Sequence, residues 1–304
     1  LTIAKLPFPR QLNSAAVLFP FRFVASVIHC IGIIRGKKID AVVGFGGYAS
    51  APAYVAAKIT GVPIVVHEAN ALPGWANKLG AKWAAAVAVA FKNTPIQNGF
   101  FAGMPLRREI EQLVQTKDAA KAREFFGLEK TTPTLLVTGG SLGAKRINEA
   151  IDASRKVLTA AGIQVLHIVG DKSEFMPLSE QGYLRIGYCD RMDLAIAAAD
   201  LAVSRSGAST VSEFAAVGLP AVFVPYPVGN GEQALNAAEL VAAGGALVVK
   251  DQDFTAEYAA GQLVSLASDN RRLKQMATAA KSVGVSDGTA RLLSMVKGVL
   301  KSNA

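Results

Sequence analysis

The chain has 304 residues, 51% of them hydrophobic, with a mean hydropathy of +0.31 and a formal net charge of +9 from 32 basic and 23 acidic side chains. That length predicts two domains with separate cores, since domains usually run to about 100–200 residues. Gly, Pro or charge interrupts the apolar runs before the roughly 18–20 residues of a membrane span, and Leu1 to Ala16 lacks the features of a secretory signal, so a cytosolic chain is expected.

The start of the chain is basic: Lys5, Arg10, Arg22, Arg35, Lys37 and Lys38 stand against Asp40 alone. Within it, LFPFRFVASVI (18–28) interleaves Leu18, Phe19, Phe21, Phe23, Val24 and Val27 with Arg22. Aromatic and basic residues on one short amphipathic segment suit the headgroup boundary of an anionic membrane, which assigns Leu18, Phe19, Phe21, Arg22 and Phe23 to a lipid surface. An ordinary core helix with basic flanks fits the same pattern. No nucleic-acid-binding signature accompanies the charge.

Short β-branched runs follow at DAVVGF (40–45), PIVVHE (63–68), AVAVAF (86–91), TLLVTG (134–139), QVLHIVG (164–170), DLAVSRS (200–206), PAVFVPY (220–226) and ALVVKD (246–251). Helix-like stretches rich in Ala and Leu lie between them. Continuous apolar strands alternating with helices predict doubly wound α/β domains, their parallel sheets covered on both faces. The charged stretch QTKDAAKAREFFGLEKTTP (115–133) separates the first three runs from the last five, which places a domain junction near residues 107–115.

Two glycine turns follow strands, in VVGFGGYASAP (42–52) and LLVTGGSLGAKRIN (135–148). A strand, a glycine turn and a helix together offer backbone N–H groups and a helix N-terminus to an anion or a sugar. Neither turn fits G-x-G-x-x-G or a P-loop. One turn in each domain predicts two sets of strand ends facing a cleft. Cys30 and Cys189 are far apart and lack any metal-ligand spacing, so they read as reduced thiols.

The densest segment is SRSGASTVSEFAAVGLPAVFVPYP (204–227). It predicts a strand ending at Ser204, a turn over Ser206 to Ser209 and a helix from Thr210 to Val217. The first-turn N–H groups with the Ser209 and Thr210 hydroxyls suit a diphosphate, and Glu213, one turn deeper, can accept both hydroxyls of a ribose. The alternative makes Ser209 an N-cap and Glu213 its capping partner.

In chain order, HEANALPGWANKLGA, GGSLGA, RSGASTVSE and GNGEQALNA resemble the MurG family of peptidoglycan N-acetylglucosaminyltransferases, and the resemblance runs from about Pro7 to the C-terminus. It implies a GT-B architecture of two Rossmann-like domains: residues 1–110 completed by a C-terminal helix at 288–304, and residues 111–287. It also implies inverting transfer of N-acetylglucosamine from UDP-N-acetylglucosamine to the muramyl 4-hydroxyl of lipid I (undecaprenyl-pyrophosphoryl-MurNAc-pentapeptide), without metal or cofactor. The product is lipid II, and the enzyme sits peripherally on the cytoplasmic face of the plasma membrane. Donor contacts are implied at Arg107, Ser141, the main chain around Cys189 and Met192, Ala208, Ser209, Thr210, Val211, Ser212, Glu213 and Gln233. Tyr48 and Glu68 are implied as catalytic cleft residues, with Asn70 binding substrate beside them. His67 at a strand end reads as structural.

Members of the family open with a strand and a GGTGGH-type turn that carries the favoured base. This sequence begins after that point, so the first domain is expected to be truncated and the chain to bind UDP while transferring sugar poorly. Met104 stands where many members have Asn, and Glu232 where many have Gln. Two other readings remain: a UDP-sugar epimerase of the same architecture, which has no use for the basic-aromatic segment, and a non-catalytic UDP-sugar-binding or membrane scaffold protein.

Overall fold

Each of the eight apolar runs contains a strand. The computed structural model describes residues 14–140, 143–228 and 230–302. The chain divides into one unit of Leu1–Pro105 with Asp287–Ala304 and another of Leu106–Ser286, where the sequence had suggested a boundary after residue 110.

In the first unit, β1 (Val42–Gly44), β2 (Ile64–Glu68), β3 (Ala86–Val89) and β4 (Gly99–Phe101) form a parallel sheet in that order. All five residues of β2 are buried. The two-residue period of the strand sends Ile64 and Val66 to one face, against Val27, Cys30 and Ile34 of α1 (Ser14–Gly36) and Tyr54, Ala56 and Ala57 of α2 (Ser50–Thr60). Val65 goes to the other face, with Ala88, Ala102 and the Leu292 and Val299 side chains of α13 (Gly288–Ser302). Burial on both faces is why this strand reads as an unbroken apolar run. A third helix, α3 (Trp75–Ala81), packs on α2 and β2.

The first helix corrects one expectation. It runs unbroken for 23 residues through Pro20 and Arg22, and Leu18–Gly36 is long and apolar enough, by length and composition, to cross a membrane. Its stripe of Val27, Cys30 and Ile34, spaced three and four residues apart, is committed to the core of this unit.

The second unit opens with α4 (Arg108–Thr116) and α5 (Ala119–Phe125) and is built on β5 (Thr134–Thr138), β6 (Gln164–Ile168), β7 (Leu178–Glu180), β8 (Tyr183–Ile186), β9 (Leu201–Ser204), β10 (Ala221–Phe223) and β11 (Ala246–Val248). Their order is β11-β10-β9-β5-β6-β8-β7, all parallel except the β7–β8 pair. From β5 the chain winds outward through β6 to β8, then returns to lay β9 on the other side of β5. The direction of winding therefore reverses between β5 and β9. Helices α6 (Lys145–Ala160), α7 (Met192–Ala198), α8 (Ala208–Val217), α9 (Glu232–Ala242), α10 (Ala256–Tyr258), α11 (Val264–Ser268) and α12 (Asn270–Val283) complete the layers.

The turn after β5 needs its glycine. Gly143 has φ +78, and a Cβ there would meet the Val169 carbonyl oxygen at 2.3 Å, so a side chain is excluded by both conformation and space.

Candidate functional site

Where the winding of an open parallel sheet reverses, the loops leaving the two central strands diverge and leave a crevice at their C-terminal ends. Here that crevice is a cavity of about 760 Å³ whose lining includes Gly139, Gly140, Arg205, Gly207, Thr210 and Gln233. The loop after β9 turns into α8 at Gly207, which is extended (φ −62, ψ 145) and has no side-chain cap. The helix thus starts at Ala208 rather than at Thr210, and Gly207, not Ser209, is its N-cap. Val211 N–H, bonded to the Gly207 carbonyl at 3.0 Å, is the first to close on the helix. The N–H groups of Ala208, Ser209 and Thr210 precede it and have no acceptor within the helix. Together with the positive end of the helix dipole they form an anion-binding end. Ser209 is exposed, Thr210 and Ser212 are half-buried, and Val211 is turned into the core, which leaves it no side-chain role in the site.

The cavity rim is cationic. Arg205 Nη1 donates to the carbonyls of Val224 (3.0 Å) and Pro225 (3.2 Å) and lies 2.6 Å from Asp251 Oδ1. Arg146 Nε donates to Asp251 Oδ2 at 3.1 Å. One carboxylate thus fixes two arginines drawn from different segments, and Lys145 and Glu149, 3.9 Å apart, line the same cavity, so three cations stand there against two carboxylates. Such an arrangement favours a polyanion. Gln233 Oε1 accepts from Tyr226 N–H at 3.0 Å, which orients the side chain and leaves its amide N–H groups as donors. Asp251 and Arg146 escaped the sequence reading because no local motif joins them.

A second group of residues gathers around the start of α4, which packs on both α7 and α8. Arg107 reaches Glu213 through Nε at 3.1 Å and through Nη2 at 2.9 and 3.0 Å, a fork that touches both carboxylate oxygens. Glu213 is 8% exposed, and burial, only partly opposed by Arg107, pushes its pKa up. A carboxylate offers about four lone-pair directions and this fork takes three of them, which leaves Glu213 one further hydroxyl to accept. Cys189 is buried, its thiol pKa pushed up by burial, which fits a part played by the main chain; Met192 is half-buried at the start of α7. Neither lines the cavity. Ser141 lies outside the described residues.

In the first unit, the neighbouring strands β1 and β2 end side by side. Glu68, the last residue of β2, is 3% exposed. Its Oε1 accepts Asn70 N–H at 2.9 Å, and its Oε2 accepts Gly74 N–H at 3.1 Å and Asn77 Nδ2 at 2.9 Å. Asn77 Oδ1 in turn accepts the Tyr54 hydroxyl at 2.7 Å, and burial pushes the Tyr54 pKa up to about 12. Glu68 thereby ties the loop from Asn70 to Gly74 into one fold, a structural duty that the motif alone did not reveal. His67 is fully buried, with Nε2 3.0 Å from the Gly103 carbonyl; burial pushes its pKa down, so the neutral ring donates that bond. Tyr48 is 41% exposed, its ring centroid 6.1 Å from that of Trp75.

The segment at 18–28 divides by face. Leu18, Phe21, Val24 and Ile28 are exposed, as is Arg22, whereas Phe23 packs against the core and Phe19 is half-buried, 6.0 Å from the Phe23 ring. Phe23 therefore leaves the candidate lipid surface.

Comparison with known proteins agrees with this geometry. Residues 1–89 match the glycosyltransferase family 28 N-terminal domain, and residues 134–292 match the family's C-terminal domain. The chain is 52% identical over 296 residues to the UDP-N-acetylglucosamine--N-acetylmuramyl-(pentapeptide) pyrophosphoryl-undecaprenol N-acetylglucosamine transferase of Leifsonia xyli subsp. xyli, covering 97% of this chain and 83% of the relative. The crystal structure of Acinetobacter baumannii MurG superposes with a TM-score of 0.75 at 27% identity, over 92% of this chain and 79% of the other. A UDP-GlcNAc 2-epimerase from Neisseria meningitidis, bound to UDP-GlcNAc, matches with a TM-score of 0.65 over 96% of this chain and 83% of its own; at 14% identity it shares the fold alone. The chain belongs to glycosyltransferase family 28 and, within it, to the MurG family of N-acetylglucosaminyltransferases.

Proposed function

We propose that the chain transfers N-acetylglucosamine, with inversion, from UDP-N-acetylglucosamine to the muramyl 4-hydroxyl of lipid I, forming lipid II for peptidoglycan synthesis. The observation that carries this reading is the cavity at the β5–β9 reversal, where a helix N-terminus, a cationic rim and an oriented amide converge. The diphosphate lies against the first turn of α8, on the N–H groups of Ala208 to Thr210 and the hydroxyls of Ser209 and Thr210. Those dipoles stabilise charge on the departing diphosphate without reorganising as it leaves. Glu213, held by Arg107, takes one ribose hydroxyl. Main-chain groups from Cys189 to Met192 take the base, the Gln233 amide takes sugar hydroxyls, and Ser141 is assigned to the nucleotide.

The acceptor side is assigned to the strand ends of the first unit, at Tyr48 and Asn70. Glu68 serves there by fixing the Asn70 loop, since N–H donors already engage both its oxygens. The outward Leu18, Phe21, Val24 and Ile28 with Arg22 supply a peripheral contact to an anionic bilayer, which supports a position on the cytoplasmic face of the membrane that carries its acceptor.

Incubation with isotope-labelled UDP-N-acetylglucosamine, with and without lipid I, tests the reading. Label moving into a lipid product one N-acetylhexosamine heavier, only when lipid I is present, is the expected result. An epimerised sugar nucleotide formed without acceptor would replace this reading with the epimerase.

A further inference from the structure

Ligands of open parallel sheets bind beyond the C-terminal ends of the strands. In the first unit those ends carry three large aromatic side chains turned outward: Phe45 (56% exposed), Tyr48 (41%) and Trp75 (38%). Phe45 and Tyr48 belong to the turn after β1, and Trp75 opens α3 after the loop that follows β2. What brings Trp75 to this place is Glu68. Its two oxygens accept the N–H groups of Asn70 and Gly74, so the loop curls round one carboxylate, and Trp75, next after Gly74, emerges beside Asn70. The Tyr48 and Trp75 rings then meet at a centroid separation of 6.1 Å and an interplanar angle of 38°, a shallow open pair rather than a closed stack.

We propose that Tyr48 and Trp75 form a stacking platform for the pyranose ring of the acceptor, with Trp75 a specificity-determining residue that the sequence motifs did not mark. The inference rests on the acceptor-side assignment made above. One face of a pyranose presents C–H groups of slight positive charge, which the negative π-face of an indole attracts while apolar surface is covered. A sugar, unlike a prenyl chain, also requires hydrogen-bonding partners at its rim. Asn70, which can both donate and accept, stands beside the platform. Phe45, on the same turn as Tyr48, packs against His67, at 5.5 Å between ring centroids.

The chain has two tryptophans, Trp75 and Trp83, so the Trp83→Phe protein carries Trp75 as its sole indole reporter. Its emission is followed during titration with a lipid I analogue of shortened prenyl chain, with the matching prenyl phosphate that lacks sugar, and with UDP-N-acetylglucosamine. A change with the first alone is the expected result. Kinetics of Trp75→Ala in the otherwise unmodified chain should show the acceptor KM raised about tenfold and the donor KM unmoved, with Trp75→Phe recovering most of the loss. An unchanged acceptor KM, an equal rise in both KM values, no recovery by Phe, or an emission change with prenyl phosphate equal to that with the analogue would each overturn the platform. Should the parent form no lipid II, the transferase reading falls. Trp75 emission then decides the platform by itself, standing if the analogue changes it and falling if it does not.

Discussion

Two buried glutamates, one in each unit, sit beside strand ends and are held in opposite ways. Glu68, 3% exposed, is held by three neutral donors, two from the backbone of its own loop and one from Asn77. Glu213, 8% exposed, is held by one cation, Arg107, whose own side chain is half exposed. The first carboxylate is part of the fold: its bonds define a loop, and any ligand that took them would dismantle it. The second accepts three bonds as well, but all from one half-exposed arginine, which can turn toward solvent when a ligand hydroxyl competes for the carboxylate. Burial and residue type alone do not separate the two roles; the partners do.

The largest effect should separate them on stability. Glu68→Ala strands the buried amide of Asn77 and frees the N–H groups of Asn70 and Gly74 in a partly exposed loop, at a cost of about 2–3 kcal/mol. Glu213→Ala releases a half-exposed arginine to water and should cost under about 1 kcal/mol. Urea denaturation of both variants checks the difference, and equal midpoints would erase the comparison. Binding should run the other way. Calorimetry is expected to show UDP affinity weakened by about 1–3 kcal/mol in Glu213→Ala, as a ribose hydroxyl loses its acceptor. If the mutant binds UDP as the parent does, Glu213 has no part in the site.

A smaller effect sharpens the same contrast within one helix. Phe23→Ala removes a side chain packed on the core and should lower stability by about 1–2 kcal/mol, while Phe21→Ala should leave stability alone and reduce sedimentation with anionic vesicles. Reversed results would exchange the two faces of α1.

The smallest concerns pH. Burial holds the folded pKa of Glu213 above the ordinary 4.5, so the folded state binds this proton more tightly than the unfolded one. The stabilising contribution of that proton is complete below the unfolded pKa and is lost as pH rises through the folded one. Glu213→Gln should therefore lose less stability than the parent as pH rises from the unfolded carboxylate range, about pH 4, through the folded pKa. UDP binding to the parent should strengthen with pH across the same window, because the ionised carboxylate is the better acceptor. Parallel stability curves for parent and variant would deny the linkage.

The eight strands that declared themselves in the sequence are those buried enough to read as apolar runs. β4, β7 and β8 did not, because β4 and β7 are short and exposed and β8 carries Arg185 within it. In the candidate site, Thr210 and Gln233 were legible because each sits at a helix start within a motif. The Arg146–Asp251–Arg205 cluster was not, since its members come from the first turn of α6, the loop after β9 and a 3-10 turn after β11, which only the sheet brings together. The start of α8 was misplaced by two residues because Gly207 reaches the extended N-cap conformation without help from a side chain. Trp75 hid in a motif whose lettering gives no hint that Glu68 would fold the chain back beside it.

One covering helix of the first sheet, α13, comes from beyond the whole of the second unit. Synthesis from the N-terminus therefore completes the second unit while the first still lacks the layer that Leu292 and Val299 place on Val65, Ala88 and Ala102. On the ribosome the first unit begins earliest and matures last, waiting with one apolar sheet face bare. A product released just short of α13 would therefore carry a finished second unit and a first unit whose Val65, Ala88 and Ala102 face lies uncovered, a loss of stability of the kind that lowers a chain's abundance in the cell.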